Sequence, residues 1–202
     1  MSNPMSIWQQ LRAGNEVPSI RKRARHKSVH QGAPVAAVFR CADTHLSSEM
    51  VFGQSQGALL DVSTWGHVVD TGVLATLEHA VDNLNTPLIV ILGHQECTAM
   101  RAALRAWQNA ELPNGASRLT IEQALSSILR LPTPATTAAE LSSAHVVSVG
   151  MSLLEHSPLI AGRVDAGRCG IVCATTDHQG RISAHATVGA LGEPSDSLLE
   201  CV

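Results

Sequence analysis

Three residues of types that bind metals stand at the ends of two predicted strands. Cys41 follows the apolar run 35–39, and His94 and Cys97 follow the apolar run 88–92. Ligands of an open α/β sheet gather at the carboxyl ends of its strands, so neighbouring strands would bring these side chains together. Two thiolates and one imidazole suit Zn²⁺, which takes sulfur and nitrogen ligands in a tetrahedral shell. Three protein ligands leave the fourth position for water, which is the arrangement of a catalytic site.

The spacing alone leaves other interpretations open. A cysteine is often a small buried hydrophobe, and a histidine after a strand is often a hydrogen-bonded structural residue. Cys169 and Cys173 would project from one face of a strand, which favours two core thiols, with a second metal pair as the alternative. Five cysteines without a secretion signal favour reduced thiols over a disulfide framework, and the terminal Cys201 is expected to be inert.

Strands and helices alternate along the chain, which predicts βαβ units. The expected fold class is α/β, with a mainly parallel central sheet flanked by helices and a C-terminal antiparallel hairpin. Three prolines interrupt a helical pattern between 109 and 144, and Pro158 breaks a helix expected over 144–166. The predicted strands are 35–39, 59–62, 88–92, 171–174 and 181–186, and the other predicted helices are 5–16, 46–55, 70–84 and a segment containing Ala99, Ala102, Ala103 and Leu104.

Composition places the chain among globular proteins. It has 202 residues, 45% of them hydrophobic, with a net charge of −3, two Phe, three Trp and no Tyr. We predict an N-terminal helix and basic arm over 1–33, one zinc-binding domain over 34–192 and a tail over 193–202. The arm is basic at 21–27 but has no interleaved aromatic residues, so we expect a solvated arm or subunit contact and no nucleic-acid partner. No apolar run is long enough to cross a membrane and no signal peptide is evident, so a cytoplasmic location is expected.

Two motifs carry a family resemblance. The segment Cys41-Ala-Asp-Thr-His45, followed by Gly93-His-Gln-Glu-Cys97, resembles the paired motifs Cys-x-Asp-x-Arg and His-x-x-Cys of β-carbonic anhydrases. The likeness covers roughly residues 5–192. It implies a zinc enzyme that converts carbon dioxide to bicarbonate, with Cys41, His94 and Cys97 as ligands, and a homodimer or homotetramer. In that family Asp43 would accept a hydrogen bond from the metal's water and help to move its proton.

Several residues depart from the family pattern around the site. His45 replaces the arginine that forms a dyad with Asp43, and Thr98 replaces a glycine. Arginine is a fixed bidentate donor, whereas neutral histidine donates one hydrogen bond. We therefore expect Asp43 to be held less firmly and to act as a possible fourth zinc ligand. The catalytic residues would be Asp43 and His45, and the substrate pocket would be lined by Gln31, Leu60, Trp65 and Thr98.

Three functions remain in competition at this point. The first is a zinc carbonic anhydrase, fully or weakly active, with an altered dyad, Asp43 and His45. The second is a catalytically inactive relative that keeps zinc for a structural or anion-sensing role. The third is a related hydrolase of carbonyl sulfide or carbon disulfide, because the bulky Trp65 would narrow the pocket.

Overall fold

A computed structural model describes residues 3–16 and 29–191. The described strands are β1 (Ala36–Cys41), β2 (Leu59–Thr64), β3 (Leu88–His94), β4 (Gly170–Thr176) and β5 (Ile182–Gly189). The described helices are α1 (Pro4–Asn15), α2 (Ser48–Phe52), α3 (Thr71–Asp82), α4 (Thr98–Asn109), α5 (Ser117–Leu129), α6 (Ala138–His156) and α7 (Pro158–Asp165). The basic segment 21–27 and the tail 193–202 lie outside the described residues, so the division at 33 and 192 stays a prediction.

The five strands form one sheet in the order β2-β1-β3-β4-β5. Strands β1 to β4 run parallel, and β5 pairs antiparallel with β4, which confirms the predicted fold class. Because β1 and β3 are neighbours with Arg40 beside Leu92, their carboxyl ends stop side by side. The last residue of β1 is Cys41 and the last residue of β3 is His94.

Both faces of the sheet are covered, as parallel strands require. Helices α3, α6 and α7 pack on one face through a cluster that includes Phe39 and Leu153, both fully buried. Helices α1 and α2 pack on the other face, where Leu11 and Phe52 are fully buried. Burying a side chain of this size stabilises the fold by roughly 1.5–3 kcal/mol. A third cluster, built by α4, α5 and the start of α6, includes the thiols of Cys41 and Cys97.

Most predicted elements are confirmed, but the helix expected over 144–166 is wrong at its start. Helix α6 begins at Ala138 because Thr137 caps it and Glu140 returns a bond to the cap residue, a capping box. The predicted break at Pro158 is confirmed: α6 ends at His156, and Pro158 is the first residue of α7, where its missing N–H costs no bond. None of the described helices has the length and apolar character needed to cross a membrane.

Candidate metal centre

Four potential ligand atoms meet where β1 and β3 end. Cys41 is the last residue of β1, Asp43 follows two residues later, His94 ends β3, and Cys97 precedes the first residue of α4. One ligand atom from each of these residues lies within 4.8 Å of all the others. Both thiols are buried, whereas His94 and Asp43 are partly exposed toward a cavity of about 250 Å³. The three predicted ligands are therefore brought together, with Asp43 as a fourth.

The donor set fits zinc. The Sγ atoms of Cys41 and Cys97 are 3.7 Å apart. Two sulfurs, each about 2.3 Å from a tetrahedral zinc, would be about 3.8 Å apart, so the thiols already have the required separation. Two sulfurs, one imidazole nitrogen and one carboxylate oxygen are also the ligand types that Zn²⁺ prefers. Zinc is the cofactor that this donor set and the family resemblance both indicate.

The carboxylate of Asp43 is held at both of its oxygens. Oδ1 lies 2.7 Å from Nε2 of His94 and 2.8 Å from Sγ of Cys41. Oδ2 accepts hydrogen bonds from the backbone N–H of Thr98 at 2.9 Å and from its hydroxyl at 2.5 Å. Thr98, at the position of the family's glycine, supplies two of these four contacts, and none of the four comes from His45. The role of Asp43 as a fourth zinc ligand stays a prediction.

The charges of the four groups are strongly coupled. Interaction with Cys97, together with burial, raises the pKa of Cys41 well above its usual range. Interaction with Cys41 lowers the pKa of Cys97, against the effect of burial. Burial acts to raise the pKa of Asp43, but hydrogen bonds from Cys41 and Thr98 outweigh it and leave the pKa well below its usual range.

His94 responds in the opposite sense to simple burial. Burial acts to lower its pKa, but the hydrogen bond with Cys41 and the negative charge of Asp43 outweigh that effect and raise the pKa. Because zinc binds thiolates and neutral imidazole, zinc binding would release the protons that these side chains carry.

A buried network supports the thiol of Cys41 from behind. The backbone N–H of Gly66 donates to Sγ of Cys41 at 3.2 Å, and the carbonyl of Gly66 lies 2.9 Å from Nε2 of His145. Nδ1 of His145 in turn lies 2.9 Å from the hydroxyl of Ser127. Such outer contacts orient a metal ligand. Gly66 has φ +70°, and a Cβ there would collide with Thr120, so only glycine fits.

The other predicted site residues are distributed around this centre. Thr98 and His45 line the cavity, but in the described part of the chain no hydrogen bond joins His45 to Asp43. Trp65 donates from Nε1 to Oγ1 of Thr98 at 2.9 Å. Leu60 packs against the cluster beneath α3, and Gln31 is exposed. The catalytic role of His45 and the pocket roles of Gln31 and Leu60 stay predictions.

Sequence reasoning missed the buried histidines that lie behind the site. His67 and His145 are both buried, with Nε2 of His67 3.1 Å from the carbonyl of Leu92. His185 is half-buried, and its Nε2 lies 2.8 Å from the hydroxyl oxygen of Thr175. The positions of these histidines in the sequence do not indicate their contacts, because their hydrogen-bond partners lie on distant segments of the chain.

Comparison with known proteins gives a consistent result. The sequence model of the carbonic anhydrase family matches residues 36–182. "Carbonic anhydrase 2" of Mycobacterium tuberculosis is 34% identical over 203 residues, covering 95% of this chain and 98% of the relative. A carbonic anhydrase of Mycolicibacterium smegmatis is 35% identical with the same coverage.

Solved structures share the fold. The β-carbonic anhydrase of Coccomyxa, solved with acetazolamide, superimposes with a TM-score of 0.67 at 20% identity, covering 93% of this chain and 82% of that one. A tetrameric β-carbonic anhydrase of Sordaria macrospora gives a TM-score of 0.65 at 18% identity, covering 89% and 91%.

Proposed function

The chain belongs to the β-carbonic anhydrase family, and we propose that it catalyses the reversible hydration of carbon dioxide to bicarbonate. The observation that supports this most is the cluster of Cys41, Asp43, His94 and Cys97 inside the region that the family model matches. Zinc, when bound, acts as a Lewis acid that lowers the pKa of a water and so supplies a nucleophile for carbon dioxide near neutral pH.

Cys41, His94 and Cys97 would hold the metal, and the elements that carry them would fix their positions. Cys41 and His94 are fixed by neighbouring strands of the buried sheet, and Cys97 is fixed by the start of α4. The N–H of Gly66 would stay on the Cys41 sulfur and spread its negative charge.

Asp43 would accept and pass on the proton that the reaction releases. In the described conformation, Oδ1 of Asp43 lies beside the ligand atoms of Cys41 and His94. The carboxylate would have to turn toward the cavity before substrate could occupy the fourth ligand position. His45 lines the same cavity and is exposed, so it could donate a hydrogen bond to Asp43 once the carboxylate has turned toward the cavity. A single histidine is a weaker partner than arginine, which supports a weak activity.

The direct test is stopped-flow hydration of carbon dioxide by the purified full chain, with zinc content verified, from about pH 6 to about pH 9. Zinc-dependent turnover that is lost in Cys97→Ser supports the proposal. A fully zinc-loaded protein without turnover at any of these pH values contradicts it.

The engagement of Asp43 favours one second candidate, a catalytically inactive zinc protein with a structural or anion-sensing role. A carboxylate that fills the fourth position would leave the metal with no free site. Turnover in the wild-type protein excludes this candidate. If only His45→Arg turns over, loss of the family's guanidinium is the cause of the inactivity.

We also propose that the protein assembles as a homodimer or homotetramer. Strand β5 is the last strand of the described sheet, and its outer edge has backbone groups that another strand could pair with. The Sordaria macrospora relative is described as tetrameric. Sedimentation equilibrium at several concentrations distinguishes these states, and a monomer at all of them contradicts assembly.

A further inference from the structure

Two hydrogen bonds connect Trp65, which lies outside the group of metal ligands, to Asp43 through Thr98. The indole Nε1–H of Trp65 donates to Oγ1 of Thr98 at 2.9 Å, and Oγ1 lies 2.5 Å from Oδ2 of Asp43. An indole N–H can only donate, and a hydroxyl has a single hydrogen. Trp65 therefore occupies a lone pair of the Thr98 oxygen, and the hydroxyl hydrogen is left to point at the carboxylate. Bonds aligned in this way polarise and strengthen one another.

The backbone adds a second donor to the same oxygen. Thr98 is the first residue of α4, and its N–H is one of the free donors at the start of a helix. It donates to Oδ2 of Asp43 at 2.9 Å, so this carboxylate is stabilised by the positive end of the α4 dipole. With Oδ2 fixed by two donors, the planar carboxylate aims Oδ1 at His94 and Cys41.

The donors themselves are anchored. Trp65 is partly buried and packs against the cluster that contains both thiols. It precedes Gly66, whose N–H donates to Cys41 and whose carbonyl lies 2.9 Å from Nε2 of His145. Thr98 is fixed by the helix that it begins. Neither donor can follow Asp43 if the carboxylate turns toward the cavity.

We propose that Thr98 and Trp65 are positioning residues that form a latch: they hold Asp43 turned toward the metal ligands and so set how readily a small anion can take the fourth position. This inference rests on the proposed function for its biological meaning, since the competing anion would be bicarbonate or a similar species. The latch is tested in the metal-loaded protein and is measurable without turnover.

The test is anion binding to the full chain loaded with Co²⁺ in place of zinc, with thiocyanate as the probe and visible absorption as the readout. Thr98→Val keeps the branched shape and the backbone donor but removes the hydroxyl. We expect it to bind thiocyanate about ten-fold more tightly, because the closed form loses a hydrogen bond to a charged group. Its spectrum without anion should also move toward that of the anion complex.

Two further variants separate the latch from a structural effect. Thr98→Ser keeps the hydroxyl, so its thiocyanate affinity and its spectrum should match those of the wild-type protein. Trp65→Phe keeps an aromatic ring but removes the N–H, so we expect a smaller gain of a few-fold. Trp107→Phe makes the same change at an exposed tryptophan on α4 and should change neither.

Unchanged thiocyanate affinity and spectrum in both Thr98→Val and Trp65→Phe would overturn the latch, and if Thr98→Val fails to fold, Trp65→Phe alone decides. Failure of the proposed function looks different. A protein without turnover whose anion affinity still responds to Thr98→Val has a latch but no carbonic anhydrase activity. A protein with turnover whose anion affinity does not respond has the activity but no latch.

Discussion

Two pairs of cysteines are equally buried in this protein and have opposite surroundings. Cys41 and Cys97 are 0% and 1% exposed, and Cys169 and Cys173 are each 1% exposed. The first pair lies at the end of the sheet beside a carboxylate, an imidazole and a backbone N–H. The second pair lies among aliphatic side chains between the sheet and the helices α6 and α7.

The difference shows that burial alone does not make a thiol reactive or inert. Burial raises the pKa of both Cys169 and Cys173 to about 12, so each stays protonated and acts as a small hydrophobe. Around Cys97, equal burial is outweighed by the interaction with Cys41, so the pKa of Cys97 is lowered while that of Cys41 is raised. What decides the chemistry is whether the surroundings stabilise the thiolate.

Replacing one cysteine from each pair should give the largest contrast. Cys97→Ser removes a soft ligand from the donor set, and we expect zinc affinity to fall by more than about 100-fold, since even outer-shell changes cost 10–100-fold. Cys173→Ala should keep stoichiometric zinc and lose only packing energy. Zinc content after dialysis and competition with a chromophoric chelator measure both. Stoichiometric zinc in Cys97→Ser would remove the distinction between the pairs.

The buried histidines near the metal ligands, His67 and His145, should make the stability of the fold sensitive to acid. Burial, reinforced by His145, lowers the pKa of His67 to about 3, and burial lowers that of His145. The native state therefore binds fewer protons than the unfolded chain below about pH 6.5, and stability present above that pH is lost as pH falls toward 3. We expect the free energy of unfolding to fall by up to about 1.4 kcal/mol per pH unit through His67, with a contribution of the same sign from His145, measured by urea unfolding.

His67→Gln serves as the control for this titration. Glutamine can still donate to the carbonyl of Leu92 but does not ionise. The variant should show a shallower loss of stability between about pH 6 and about pH 4 than the wild-type protein. An identical slope in both would mean that other groups cause the acid sensitivity.

A smaller effect tests whether Cys173 acts through volume alone. Gly150 lies on α6 against Cys173, and a Cβ there would stand 2.7 Å from Sγ. Gly150→Ala should destabilise the fold by about 1–3 kcal/mol, whereas Gly162→Ala on α7, which meets no atom within 4 Å, should stabilise it by roughly 0.5–1 kcal/mol. Both are read as free energies of unfolding in urea.

A double variant completes that test. In Gly150→Ala/Cys173→Ala the sulfur that blocks the added methyl group is gone, so most of the destabilisation should be relieved. Zinc content should be unaffected throughout. Strictly additive effects of the two changes would show that the contact between Gly150 and Cys173 is not what limits this helix.

The parts of this molecule that the sequence predicted are those with local signals. Strand β3 is a continuous apolar run after a proline, and the three thiol and imidazole ligands stand at strand ends, so both could be placed. The start of α6 was missed although its capping box, Thr137 with Glu140, is also local. That signal was present in the sequence and was not used.

The contacts around Asp43 could not have been predicted in the same way. The identity of Thr98 was known to depart from the family, but its bond to Asp43 joins residues 55 positions apart and depends on how α4 begins beside β1. The bond between His145 and Gly66 spans 79 positions. Such pairs are set by the meeting of packed elements, so residue type and spacing alone give no distance or direction.

The arrangement of the ligands along the chain also has a consequence for the order of folding. His94 and Cys97 are near one another even in the unfolded chain, but Cys41 joins them only after β1 has paired with β3, and β2 and α3 lie between those strands in sequence. Closing that loop costs chain entropy that the metal cannot offset in advance. We therefore expect zinc to bind tightly only after the central sheet has formed, and to act on the kinetics mainly by slowing unfolding.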